Sequence, residues 1–154
     1  MSDYTITRDP VTSEEVLRLL QMHLDEMHAA SPACKVHAMP AKRLREGDVT
    51  FYAVRAGDEL AAVGALKALG ADLGELKSMR AAPAFRGKGA GRALLEHLIA
   101  EARARGYRWL GLETGRTKEF ANARTLYENY GFRECDAFNG YSSDEFSLCM
   151  ERDL

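Results

Sequence analysis

Cysteine is scarce in this chain. Cys34, Cys135 and Cys149 are its only three, an odd number without a Cys-x-x-Cys pair, which excludes a disulfide framework and zinc-ribbon spacing and leaves reduced, mostly structural thiols. No apolar run approaches the length of a membrane span, and no charged-apolar-small leader opens the sequence. The expectation is a soluble cytoplasmic protein with no membrane partner. Proline occurs only four times, and neither repeats nor low-complexity linkers divide the chain. Its 154 residues are 46% hydrophobic and 29% charged, enough for one core, so residues 1–154 read as a single domain. A large excess of charge is missing too. The formal net charge of −2 argues against a nucleic-acid partner. Positive charge gathers locally at Arg86, Lys88 and Arg92, while Arg103, Arg105 and Arg108 read as cations near a helix C-terminus.

What is present is a regular alternation of strand and helix signals. Residues 4–8 alternate and are β-branched, which predicts a short strand, and Asp9-Pro10 breaks it. Thr12 and Glu15 have capping-box spacing ahead of Val16, Leu17, Leu20, Leu24 and Met27, which recur on one helical face to about residue 30. Pro32, Pro40 and Gly47 then interrupt the helical signal, with a second short helix expected over residues 41–45. Residues 51–55 and 60–69 read as strands joined by the turn Ala56-Gly57-Asp58-Glu59, and residues 75–81 as a third. The apolar stripe Leu94, Leu95, Leu98, Ile99 and Ala102 predicts a helix from Gly91 to Arg105, stopped by Gly106. A strand over 107–113, a helix from about Phe120 to Tyr130 and two closing strands complete the pattern. Strand, glycine loop, helix, strand in that order is a parallel crossover unit. The fold class is therefore α/β (α+β): a mixed, mostly antiparallel sheet of about six or seven strands with helices on both faces.

The stretch Arg86-Gly87-Lys88-Gly89-Ala90-Gly91-Arg92 sets three glycines among basic residues at the start of a helix. Glycine lets backbone amides approach a ligand, and a helix start adds unpaired donors, so the stretch reads as an anion cradle suited to a phosphate-bearing ligand. Two better-known phosphate signatures fail on spacing. A P-loop needs Ser or Thr after Gly-Lys, where this chain has Gly89. A dinucleotide fingerprint needs its third glycine at the position of Arg92.

The pattern Arg/Gln-x-x-Gly-x-Gly/Ala, filled by Arg86, Gly89 and Gly91, resembles the pyrophosphate loop of the GCN5-related N-acetyltransferase (GNAT) family. The likeness extends over nearly the whole chain and includes Ala123-Arg124-Thr125-Leu126-Tyr127-Glu128-Asn129-Tyr130-Gly131-Phe132, similar to the family's Ala-x-x-Leu-Tyr-Glu-x-x-Gly-Phe ending. The resemblance implies an acyltransferase that carries acetyl from acetyl-CoA to a primary amine of a small molecule, with no metal. It implies that Arg86, Gly87, Lys88, Gly89, Ala90, Gly91 and Arg92 hold the cofactor, that the Met79 amide stabilises the oxyanion, and that the Ala81 backbone bonds the pantetheine arm. Tyr127 takes the position whose phenol protonates the leaving thiolate in relatives, although a tyrosine packed in the core satisfies the same pattern. Tyr130 reads as structural.

Glu75 matches the position of the catalytic glutamate in the histone-acetylating branch, which makes it the candidate base; many relatives use ordered water instead, and Glu113 on the neighbouring strand is a candidate to steer the acceptor's ammonium group. Lys77 and Arg80, with Arg116 and Lys118, are candidates to bind an acceptor carboxylate, which would make the acceptor amino-acid-like. The family's cofactor-contacting asparagine is replaced by Phe120, with Asn122 two residues later. His23, His28 and His37 fall in the region that covers the acceptor in the family, where surface or packing roles are the alternative. A Cys34 nucleophile paired with His37 is a more distant idea. The other functional readings are a peptide or protein acceptor and an acyl-CoA sensor without turnover, and the assembly is a monomer or a homodimer.

Overall fold

The computed structural model describes residues 3–30 and 40–154. Seven strands form one sheet: β1 (Tyr4–Arg8), β2 (Val49–Ala56), β3 (Glu59–Ala68), β4 (Leu73–Ala81), β5 (Trp109–Gly115), β6 (Arg133–Cys135) and β7 (Ser147–Asp153). Their spatial order is β1-β2-β3-β4-β5-β7-β6. The pairing is antiparallel except between β4 and β5, the two strands joined by the helical crossover. The helices are α1 (Glu14–Ala30), α2 (Ala90–Ala104) and α3 (Ala121–Asn129).

Strand alternation sorts the core into two layers. Tyr52, Val54, Leu66, Leu76, Leu110 and Leu112 face Leu94, Leu95, Leu98 and Ile99 of α2, and Tyr127 of α3 joins this layer. On the opposite face, Phe51, Val63 and Ala65 meet Val16, Leu19 and Leu20 of α1 together with Leu44. Each fully buried leucine of α2 contributes about 1.5–3 kcal/mol of apolar transfer, so α2 anchors the layer from which the glycine loop emerges.

Three expectations are corrected. The α1 start is capped by Ser13, whose Oγ accepts from the Val16 amide at 3.3 Å and whose carbonyl accepts from Leu17 at 3.0 Å. Glu15 is drawn instead into an ion pair with Arg55 at 3.2 Å, so the Thr12–Glu15 box does not form. Residues 41–45 shrink to a single 3-10 turn, Arg43–Arg45, hung from the Pro40 carbonyl through the Arg43 amide at 3.0 Å. Strand β5 starts at Trp109 rather than Tyr107, because the Tyr107 amide still bonds to the Ala102 carbonyl at 3.0 Å as the chain leaves α2.

Two irregularities position the site. Strands β4 and β5 pair only through the rungs Leu73 with Trp109, Gly74 with Leu110 and Glu75 with Gly111; beyond them both strands continue without a shared ladder. On the other edge of β4, Val63 pairs with Arg80 and Ala65 with Lys77, so β4 carries an extra residue opposite β3. That is a β-bulge. Ser78 sits in it with φ of 55°, a left-handed conformation uncommon for a residue with a side chain.

Candidate functional site

The diverging ends of β4 and β5 bound a cleft of about 680 Å³. Lys77, Ser78, Met79 and Arg80 line it from β4, and Leu112, Glu113 and Thr114 from β5. His23, Glu26 and Met27 of α1 close one side; Phe120 and Tyr127 close the other. The cleft therefore passes through the sheet, from the α2 and α3 layer to the α1 layer.

The glycine loop touches this cleft through Arg86 alone, while Lys88, Gly89 and Arg92 border a separate hollow with Tyr4 and Phe85. Gly87 and Gly89 adopt φ of 72° and 86°, which L side chains rarely reach, and Gly89 forms the N-cap of α2. Among the described residues, the amides of Gly87, Gly89, Ala90, Gly91 and Arg92 donate to no other backbone group, whereas Lys88 bonds to the Phe85 carbonyl at 3.2 Å. Five donors at a helix start are the arrangement that backbone recognition of an anion requires. The side chains around it differ. Arg86 reaches the cleft and donates to Glu26 at 3.1 Å. Arg92 turns away, donating to the Tyr130 hydroxyl at 2.9 Å, and that hydroxyl in turn donates to Glu96. The Lys88 carbonyl accepts from Tyr4 at 2.7 Å, tying β1 to the loop.

Met79 lies in the bulge, without a rung to β3, while Ala81 pairs with Ala62. The Met79 sulfur packs against Gly64, where an added Cβ would meet it at 2.6 Å. Tyr127 is 7% exposed, and burial alone lifts its phenol to about 12, so it is fully protonated at neutral pH. Its ring meets Phe132 edge-on at 5.9 Å.

The two candidate carboxylates occupy different environments. Glu75 is completely buried at the last rung before the strands part. It accepts from the Tyr141 hydroxyl at 2.5 Å and from Asn139 Nδ2 at 3.4 Å, and Lys77 Nζ stands 3.5 Å away. Of the two, Glu113 is the one that lines the cleft. Burial, partly offset by Lys77, raises its carboxyl to about 7.

The cationic candidates also separate. Arg80 lines the cleft and pairs with Glu26 of α1. Lys77 is held by Tyr141 and Glu75. Arg116 is engaged outside the cleft, donating to the Asp144 carbonyl at 2.7 Å and to Glu134 at 2.9 Å. Lys118 belongs to a 3-10 turn, Lys118–Phe120, that carries Phe120 onto Gly115, where any Cβ would collide with the ring. His23 faces the cleft with its Nδ1 buried and unpartnered, and burial next to Arg80 lowers its imidazole to about 4, so it is neutral. His37 and Cys34 lie outside the described residues. Among the described residues, no group of three or more His, Cys, Asp or Glu is placed to hold a metal, and no helix is long and apolar enough to cross a membrane.

Asn139 and Tyr141 are site residues that sequence reasoning passed over. Their signal was present as Asn139-Gly140, a turn dipeptide. Nothing local indicated that this turn folds back onto Glu75.

A splayed parallel strand pair, a bulge in β4 and a glycine at the N-cap of the following helix are the features that shape this region. The chain belongs to the acetyltransferase (GNAT) family, whose sequence profile residues 16–132 match. Among its relatives is the uncharacterized N-acetyltransferase YsnE of Bacillus subtilis, 42% identical over 95% of this chain and 97% of that protein. The uncharacterized N-acetyltransferase YedL of Escherichia coli is 38% identical over 98% and 99%. Among solved structures, a GNAT family acetyltransferase from Elizabethkingia anophelis with acetyl-CoA bound superposes with a TM-score of 0.70 at 17% identity, covering 100% of both chains.

Proposed function

We propose that this protein transfers acetyl from acetyl-CoA to the primary amine of a small molecule by direct attack in a ternary complex. The observation that carries the reading is the placement of Glu113 and Tyr127 in one cleft that opens between β4 and β5. Acetyl-CoA as donor is supported by the family, by the five unpaired amides of the glycine loop, and by the cofactor bound in the Elizabethkingia protein. A compact acceptor is supported by Glu26, which pairs with both Arg80 and Arg86 and so holds α1 across the mouth of the cleft.

The steps follow from charge and proton accounting. The ammonium of the acceptor loses a proton to the Glu113 carboxylate, whose value of about 7 is matched to neutral pH. The freed lone pair attacks the thioester carbonyl carbon, and the Met79 amide in the bulge donates to the oxyanion. When the tetrahedral intermediate collapses, the C–S bond breaks, the Tyr127 phenol gives its proton to the departing sulfur, and the second proton on the attacking nitrogen passes to the phenolate left behind, so that amide, thiol and neutral Tyr127 remain and Glu113 releases its proton to solvent. The apolar wall formed by Leu112 and Phe120 keeps water from the thioester.

The test is thiol release from acetyl-CoA by purified protein with a panel of primary amines. Tyr127→Phe is expected to lower kcat by about 10²-fold or more and to leave coenzyme A binding in calorimetry unchanged. Normal coenzyme uptake with no thiol released by any amine would refute the activity.

A further inference from the structure

Glu75, Lys77 and Tyr141 are in contact on the α1 face of the sheet. Glu113 stands two residues past Gly111, as Lys77 stands two past Glu75, the rung partner of Gly111, so that Lys77 and Glu113 share that face and line the same cleft. Glu75 and Lys77 come from β4, Glu113 from β5 and Tyr141 from the 136–146 connection. Lys77 is only 8% exposed and Glu75 is not exposed at all, and such residues are rarely buried without partners. Tyr141 is the joint between them. Its hydroxyl accepts from Lys77 Nζ at 2.5 Å and donates to Glu75 at 2.5 Å, and the ammonium also lies 5.1 Å from the tyrosine ring centroid.

The connecting segment is shaped for this contact. Asn139 and Gly140 adopt φ of 52° and 80°, turning the chain so that Asn139 and Tyr141 both reach Glu75. The Phe138 ring anchors the turn edge-on against Trp109 at 5.1 Å and Tyr141 at 5.6 Å. A buried ion pair contributes little net stability against an apolar replacement. The arrangement therefore calls for a reason other than stability, and Glu113 beside it supplies one.

We propose that Lys77, fixed between Glu75 and Tyr141, sets the proton affinity of Glu113. The proposal rests on the reading of Glu113 as proton acceptor. Burial, Glu75 and Asp144 all press Glu113 toward its neutral form; Lys77 and the Ser147 hydroxyl oppose them, and Cys149 lies opposite on β7. Without the ammonium, Glu113 would stay protonated at neutral pH and could not receive a proton. With the ammonium released from Glu75 and Tyr141 to pair fully with Glu113, the carboxylate would become too weak a base. Sharing the lysine between two carboxylates holds Glu113 between those limits. Lys77 and Tyr141 are positioning residues, because they act on the amine only through Glu113.

The experiment is a carbon-detected NMR titration of the full chain labelled with [13C]glutamate at the carboxyl, the Glu113 signal being assigned by its loss in Glu113→Gln. Lys77→Met should raise the Glu113 midpoint by about one pH unit or more. Tyr141→Phe should raise it less, because the ammonium then closes on Glu75. Lys77→Arg should restore it to near the wild-type midpoint, which a purely structural role for the lysine would not require. An unchanged or lowered midpoint in either Lys77→Met or Tyr141→Phe overturns the proposal, and if Lys77→Met does not fold, Tyr141→Phe and Lys77→Arg decide it. The titration needs no acceptor, so failure of the acetyl-transfer reading shows up separately, as absent thiol release with amines.

Discussion

Replacing Glu113 by Gln separates the energetic consequence of this carboxylate from its chemical one. Its carboxyl stands at about 7 in the folded protein against 4.5 in the unfolded chain. The sign follows from proton counting. Between these values the folded state binds more protons than the unfolded one, so stability falls as pH rises from 4.5 and stops falling above 7. The full penalty is about 3 kcal/mol, since each pH unit between the two values costs about 1.36 kcal/mol. Glu113→Gln removes the titrating group and keeps the shape. The variant should match the wild type near pH 4.5 and be more stable at pH 8.5 by up to about 3 kcal/mol, or roughly 6–12 °C in Tm for a chain of this size. Urea unfolding followed across that pH range measures the difference, and turnover in the same variant should fall by about 10²–10⁴-fold. Parallel stability curves for the two proteins would refute the claim that Glu113 is held near neutrality by burial, whatever the activity does.

Two further outcomes are expected. His23 is kept neutral at about 4 against 6.5 in the unfolded chain; here the unfolded state takes up protons first, so stability is complete above 6.5 and falls by about 3 kcal/mol on acidification toward 4. His23→Gln should flatten that acid limb in urea unfolding, and an unchanged limb would count against a buried neutral imidazole. Gly89→Ala forces a side chain into φ of 86° at a cost of about 1–2 kcal/mol. Because its Cβ meets nothing within 4 Å, the effect is one of backbone conformation alone, and calorimetry should show coenzyme A affinity reduced by about tenfold. Undiminished affinity would remove the glycine loop from the cofactor site.

Local pattern carried the fold further than it carried the site. The period of Leu94, Leu95, Leu98 and Ile99 and the stop at Gly106 placed α2 within a residue of its observed span, Ala90–Ala104, because burial of that stripe dominates the helix. Ser13 displaced Thr12 as cap because Glu15 had a more distant partner in Arg55, which no local rule contains. The same holds for the carboxylates. Spacing from Met79 brings Glu75 into consideration, but the difference between Glu75 and Glu113 depends on Tyr141 and Asn139 arriving from far along the chain, with separations of 66 and 64 residues from Glu75. The hydrogen bonds that enclose Glu75 come from those long-range partners. The glycine loop is legible from sequence for the opposite reason: its donors and its positive φ angles belong to consecutive residues.

Only three rungs join β4 to β5, and that short seam sets a limit on improving this protein. Substitutions that zipped the two strands further would lengthen the ladder and firm up the sheet, yet each added rung would close the gap in which the proposed mechanism has donor and acceptor meet. A search for thermostable variants should therefore find its gains in the α2 layer or at the outer strands, and any gain mapping to residues 76–81 or 112–115 should come with lost turnover.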